Sequence, residues 1–166
     1  MEKLVNRFLR YVSVDTQSAE DKECVPSTEK QHVLAQMLCE ELQAMGYEAE
    51  HDGHAYVYAT IRGNRPNAPV IGLIAHMDTS PDCSGKDVKA KIVHYEGGDI
   101  LLNEEKGIVL SPAQYESLDR YVGKDLIVTD GTTLLGADDK AGVSEIMQLA
   151  AYYAENPDAP HGTIKI

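Results

Sequence analysis

Apolar residues recur at helical spacing in three stretches of the chain. Around residues 2–11, Leu4, Val5, Phe8, Leu9 and Val12 form one stripe of a short amphipathic helix. A second helix is expected from Ser27 or Thr28, with Thr28 and Gln31 as a capping box. Its apolar face is Val33, Leu34, Met37, Leu38, Leu42 and Met45, and Gly46 is placed to end it as the C′ residue. The third and strongest helical pattern covers residues 139–155 and carries Val143, Ile146, Met147, Leu149, Ala150 and Tyr153; Pro157 stops it.

Between the helices the period shortens to that of strands. Residues 47–50 and 54–61 read as a hairpin across Asp52-Gly53. Residues 70–75, Val-Ile-Gly-Leu-Ile-Ala, are apolar on both faces, as expected of a strand buried in a largely parallel sheet. Further strands are expected at 90–95, 126–128 and 162–166, with 13–27 a loop and 96–125 irregular apart from a short helix near 112–121. Strands alternating with long helices predict an α/β fold with a mixed, mostly parallel sheet flanked by helices.

The 166 residues carry 15 Lys and Arg against 27 Asp and Glu, a formal charge of −12. That balance argues against nucleic acid or an anionic membrane as a partner, since both require a basic face. The longest apolar run, 70–75, is far below the ~20 residues of a transmembrane helix, and the opening Met1-Glu2-Lys3-Leu4 does not read as a signal peptide. The three cysteines, Cys24, Cys39 and Cys83, form no Cys-x-x-Cys pair and suit reduced thiols in a cytoplasm.

Two short motifs can carry chemistry. His76-Met77-Asp78 follows the apolar strand at its carboxyl end, where open α/β sheets bind ligands. A carboxylate two residues from an imidazole can fix its tautomer for metal binding, although an isolated His-x-Asp is more often a loop histidine beside a turn aspartate. The second motif, Leu135-Gly136-Ala137-Asp138-Asp139-Lys140-Ala141-Gly142, heads the last helix. One aspartate suffices for an N-cap, so Asp139 can cap while Asp138 faces a cation. Lys140 opposes the helix dipole and is not there for helix stability; Gly136 and Gly142 suggest close backbone approach. If both motifs serve one metal site, His76 and Asp138 must lie within about 8 Å of each other, because metal–ligand bonds to nitrogen and oxygen measure only ~2.0–2.2 Å.

The run from Val70 to Ser80, followed by Asp130-Gly131-Thr132-Thr133-Leu134-Leu135-Gly136-Ala137-Asp138-Asp139-Lys140-Ala141-Gly142, closely resembles the peptidase T family of tripeptide aminopeptidases. These belong to the co-catalytic zinc exopeptidases that include aminoacylase. The opening Phe8-Leu9-Arg10-Tyr11-Val12-Ser13-Val14-Asp15-Thr16-Gln17-Ser18, Gly97-Gly98-Asp99-Ile100 and Leu102-Asn103 are similar to that family as well. The resemblance implies two zinc ions per complete site, with His76 a ligand of one, Asp138 bridging both, and Asp78 the catalytic carboxylate that orients His76. It also implies a cis peptide bond after Asp138, a short-peptide substrate, a cytoplasmic setting and a homodimer.

The same resemblance implies that residues 1–166 are the N-terminal part of the catalytic domain. Family members are more than twice as long. Their Glu-Glu pair, which supplies the general base and a zinc ligand, falls beyond the position of Ile166, as do further ligands and a dimerisation domain. The isolated chain is therefore expected to be inactive and to expose apolar surface. Two alternatives stand beside the tripeptidase reading: another exopeptidase or N-acyl amino acid deacylase of the superfamily, and a non-catalytic α/β fragment.

Overall fold

The computed structural model describes residues 2–166. Helix α1 spans Glu2–Val12 and α2 Gln31–Ala44. Strands β1 (Ala49–His51), β2 (Val57–Ile61) and β3 (Ile71–Gly72) follow, then β4 (Lys91–Tyr95), β5 (Ile100–Asn103) and β6 (Ile108–Leu110). A 3₁₀ turn at Glu116–Tyr121 precedes β7 (Lys124–Val128), α3 (Ala137–Glu155) and β8 (Ile164–Lys165).

The larger sheet runs β1-β2-β8-β3, and its core packs Tyr11, Leu34, Leu42, Ile61, Met147 and Ile164 between sheet and helices. The expected mixed α/β architecture is present, but its parallel share is smaller than expected. Among the described residues the parallel pairing is confined to β3–β8 and one isolated Gln17–Thr79 bridge, because the β1–β2 hairpin joins β8 on its other side antiparallel. The excursion between β3 and α3 forms two further antiparallel pairs, β4–β7 and β5–β6, around Tyr95, Ile100 and Leu118. The β5–β6 hairpin lies where an irregular stretch was expected: its strands are short, and one register shift between Leu101 and Asn103 breaks the alternation.

Helix α2 starts later than its sequence suggests. Thr28 does not cap it; its hydroxyl donates to the Gln17 carbonyl at 2.7 Å. The helix ends as expected, with Gly46 at φ +91°. Gly46 N–H donates to Gln43 O at 2.9 Å and Tyr47 N–H to Leu42 O at 3.1 Å, the paired bonds of a Schellman ending. Glu41 on this helix binds the guanidinium groups of Arg7 and Arg10 and accepts from the Tyr11 hydroxyl at 2.7 Å, which fixes α1 against α2.

The expectation that 70–75 is buried on both faces is not met. Leu73, Ala75 and Met77 pack on the core, whereas Ile74 is 96 % exposed. β3 has a described neighbour on one edge only, and its outer face carries no helix, so the apolar run is one-sided in practice. The expected strand over 70–75 is regular only at Ile71–Gly72; beyond it exposure still alternates, and His76 lies exposed like Ile74.

β8 docks beside a backbone crossing with no room for side chains. A Cβ on Gly63 would lie 2.5 Å from Gly162 C, and one on Gly162 2.3 Å from Pro69 O. Gly162→Ala should therefore cost more than about 2 kcal/mol in urea denaturation. Gly53→Ala, where a Cβ meets nothing within 4 Å, should stay within about 0.5 kcal/mol of the parent.

Candidate metal centre

β3 delivers His76 to the site, and α3 delivers Asp138. β3 is held by Ile71 N–H to Thr163 O at 3.0 Å and Leu73 N–H to Lys165 O at 2.8 Å, and the chain leaves this ladder through Ile74 and Ala75 into His76-Met77-Asp78. The head of α3 is irregular. Gly136 sits at φ +78°, a conformation that favours glycine, and a Cβ there would approach Thr79 Cγ2 to 3.1 Å. The Asp138–Asp139 peptide is cis, as the resemblance implies, and neither residue has helical dihedrals.

The regular helix begins after Asp139. Gly142 N–H donates to Asp139 Oδ1 at 3.1 Å, so Asp139 is the cap and Asp138 is left free, the division of labour expected from the sequence. A Cβ on Gly142 would fall 2.5 Å from that same oxygen, which is why the cap needs glycine three residues on.

The two motifs meet, well inside the expected limit. His76 Nε2 lies 2.9 Å from Asp138 Oδ1, and His76 Nδ1 lies 3.1 Å from both the carboxylate and the carbonyl of Asp78. The site is open: the side chains of His76 and Asp138 are 54 % and 96 % exposed. Partial burial disfavours the His76 cation, but its hydrogen bonds to Asp138 and Asp78 outweigh it and hold the imidazole above its ordinary pKa. An imidazole oriented by one carboxylate and facing a second, exposed one is a donor set suited to a divalent ion. Among the described residues, no cluster of three or more His, Cys, Asp or Glu positions gathers as a complete metal cage.

Two buried polar residues behind the site were given no role by sequence reasoning. Lys140 is 2 % exposed, and its ammonium donates to Val14 O at 2.7 Å. Burial, only partly offset by Asp15, pulls its pKa down to about 8. Thr16 is fully buried and donates to Met77 O at 2.6 Å. The one sequence signal for either was the lysine's position against the helix dipole; the loop 13–27 shows no periodicity that would mark Thr16.

No family model matches the chain. Peptidase T from Alkaliphilus oremlandii is 54 % identical over 171 aligned residues, covering 100 % of this chain and 42 % of the relative. The chain resembles peptidase T along its whole length. Peptidase T from Desulfitobacterium hafniense (strain DSM 10664 / DCB-2) is likewise 54 % identical, over 99 % of this chain and 40 % of its own length. The chain thus spans about two fifths of the peptidase T relatives it matches. The crystal structure of aminopeptidase PepT from Bacillus cereus ATCC 10987 aligns with 99 % of this chain and 35 % of its own, at TM-score 0.62 and 25 % identity. A tripeptidase from Staphylococcus aureus shares the fold at TM-score 0.62 and 23 % identity, over 99 % of this chain and 35 % of its own.

The loop that carries Asp138 toward His76 is itself ion-paired. Asp130 accepts from the Thr132 hydroxyl at 2.6 Å and the Thr132 N–H at 2.9 Å, and Lys89 lies 3.3 Å away. These bonds to Thr132, with Lys89 behind them, hold its pKa at about 2, below the ordinary 3.8. The ionised form therefore contributes stability that is complete above about pH 4 and lost as pH falls toward 2. Asp130→Asn should flatten that part of the acid limb, read as the urea midpoint at pH 2.5, 3.5 and 5.

Proposed function

We propose that this chain supplies one wall of the two-metal site of an aminopeptidase that removes the N-terminal residue from tripeptides. The observation that carries the reading is the convergence of His76 Nε2 and Asp138 Oδ1 to 2.9 Å, with Asp78 behind the imidazole. Sixty-two positions separate the two residues, so local geometry does not force them together. The likeness to peptidase T over the whole chain supports the substrate class.

In this reading His76 would be a ligand of one metal ion and Asp138 would serve both, zinc being an ion that imidazole and carboxylate donors suit. Bound metal would supply Lewis-acid polarisation of a scissile carbonyl and an activated water. The chain's own contribution is positional. Asp78 keeps the Nδ1 proton of His76 on its own oxygens, which leaves Nε2 as the donor aimed into the site. Asp139 takes the capping role, so the Asp138 carboxylate stays available. The remaining ligands, the general base and the homodimer contact would come from outside residues 1–166. The unpaired cysteines Cys24, Cys39 and Cys83 fit a cytoplasmic setting, and no described helix is long and apolar enough to cross a membrane.

The test is hydrolysis by the full-length gene product. Tripeptides should be cleaved in preference to di- and tetrapeptides and to N-acyl amino acids, and a chelator should abolish turnover until zinc is restored. Chelator-insensitive cleavage would overturn the metallopeptidase reading, and preference for N-acyl amino acids would move the assignment to a deacylase. His76→Ala and Asp138→Asn should each reduce kcat by roughly 10²–10³, as loss of a main electrostatic stabiliser does. Asp78→Asn should reduce metal affinity by about 10–100-fold. The 166-residue chain alone should bind zinc weakly by calorimetry and show no turnover; two tight stoichiometric sites would contradict this.

A further inference from the structure

The loop after α1 touches both halves of the site. On one side it pairs with the segment that carries His76 and Asp78. Thr16 Oγ1 donates to Met77 O at 2.6 Å, Thr79 N–H to Thr16 O at 3.2 Å, and Ser18 N–H to Thr79 O at 2.9 Å. Gln17 Nε2 extends this contact to Pro81 O at 3.1 Å and Cys83 O at 2.9 Å. On the other side, Val14 O receives the Lys140 ammonium at 2.7 Å, two residues beyond Asp138. The loop is in turn fixed to the start of α2, where Lys30 Nζ lies 3.0 Å from Asp15 Oδ2.

We propose that residues 14–17 form a shared brace that sets the distance between the two halves of the site, with Thr16 and Lys140 as its positioning residues. The proposal rests on the metal reading given above. Its physical basis is the placement of Met77 O. This carbonyl belongs to the peptide between Met77 and Asp78, and His76 Nδ1 contacts both the backbone and side-chain oxygens of Asp78 at 3.1 Å. Asp78 O belongs to the next peptide, whose Thr79 N–H donates to Thr16 O at 3.2 Å, so Thr16 holds the planes on both sides of the Asp78 Cα; a shift of that Cα moves both contacts and re-aims His76 Nε2. The Thr16 hydroxyl, fully buried, has no water to replace it, so its bond holds the plane. Lys140 plays the same part for Asp138: its buried ammonium ties the first turn of α3 to the same stretch of backbone. One short segment thereby registers two elements that otherwise arrive from distant parts of the chain.

The test compares Thr16→Val, which keeps the shape and removes the hydroxyl, with Thr16→Ser, which keeps the hydroxyl and removes the methyl. Co²⁺ is titrated into the full-length gene product and followed by its visible absorption, and amide hydrogen exchange is measured alongside. Thr16→Val should weaken Co²⁺ binding by about 10-fold or more, and Thr16→Ser by no more than about threefold. In Thr16→Val the Ser18 and Thr79 amides should exchange faster, while those of Leu42 and Met147 in the core keep their parent rates. Lys140→Met should weaken Co²⁺ in the same direction, and it provides the reading if Thr16→Val does not fold. Equal Co²⁺ affinity in parent and Thr16→Val overturns the proposal, as does equal loss in the Val and Ser variants or uniform acceleration of core and loop amides. If the parent chain takes up no Co²⁺, the metal reading fails first, and the positioning role falls with it.

Discussion

β8 is the strand through which the β1–β2 hairpin and β3 become one sheet. Ile164 is opposite Ile61 on one side and Ile71 on the other, so a single buried residue stands in register with both neighbours. Its side chain also sits in the core with Tyr11, Leu34 and Met147. Without β8, β3 has no described partner, and the turn that presents His76 loses its anchor. The two glycines at 63 and 162 make this possible by letting backbones approach where any side chain would intrude.

Electrostatics divide sharply between the surface and the interior. The formal charge of −12 is spread over exposed carboxylates. The cations that matter for architecture are few and are spent on specific oxygens: Arg7 and Arg10 on Glu41, Lys30 on Asp15, and Lys140 on a backbone carbonyl. The site follows the opposite logic. Asp78 and Asp138 converge on one imidazole with no other cation at hydrogen-bonding distance among the described residues, an excess of negative potential that favours a positively charged occupant.

Much of this was legible before any coordinates. Helical periodicity gave α3 almost to the residue, and the Asp52-Gly53 turn gave the first hairpin. One helix needs only one cap, and Asp139 takes that place as the adjacent aspartates suggest. Two things were not legible. Apolar composition on both faces of residues 70–75 suggested full burial, yet composition cannot say whether a face has a neighbour, and Ile74 has none. The loop at 13–18 works through backbone carbonyls and one hydroxyl, and such bonds leave no period in a sequence. The convergence of His76 and Asp138 was expected only through resemblance; nothing in their local sequences specifies it.

The position of β8 has a consequence for how the molecule assembles. Gly63 and Thr163, bonded across the β2–β8 junction, are 100 positions apart. Both helices of the N-terminal half can form from local contacts, but the sheet must wait for closure of a loop of that span, with an entropy cost that local structure cannot offset in advance. The site thus depends on a contact of long sequence separation: among the described residues, the strand that precedes His76 is held only by a β8 supplied from the far end of the chain.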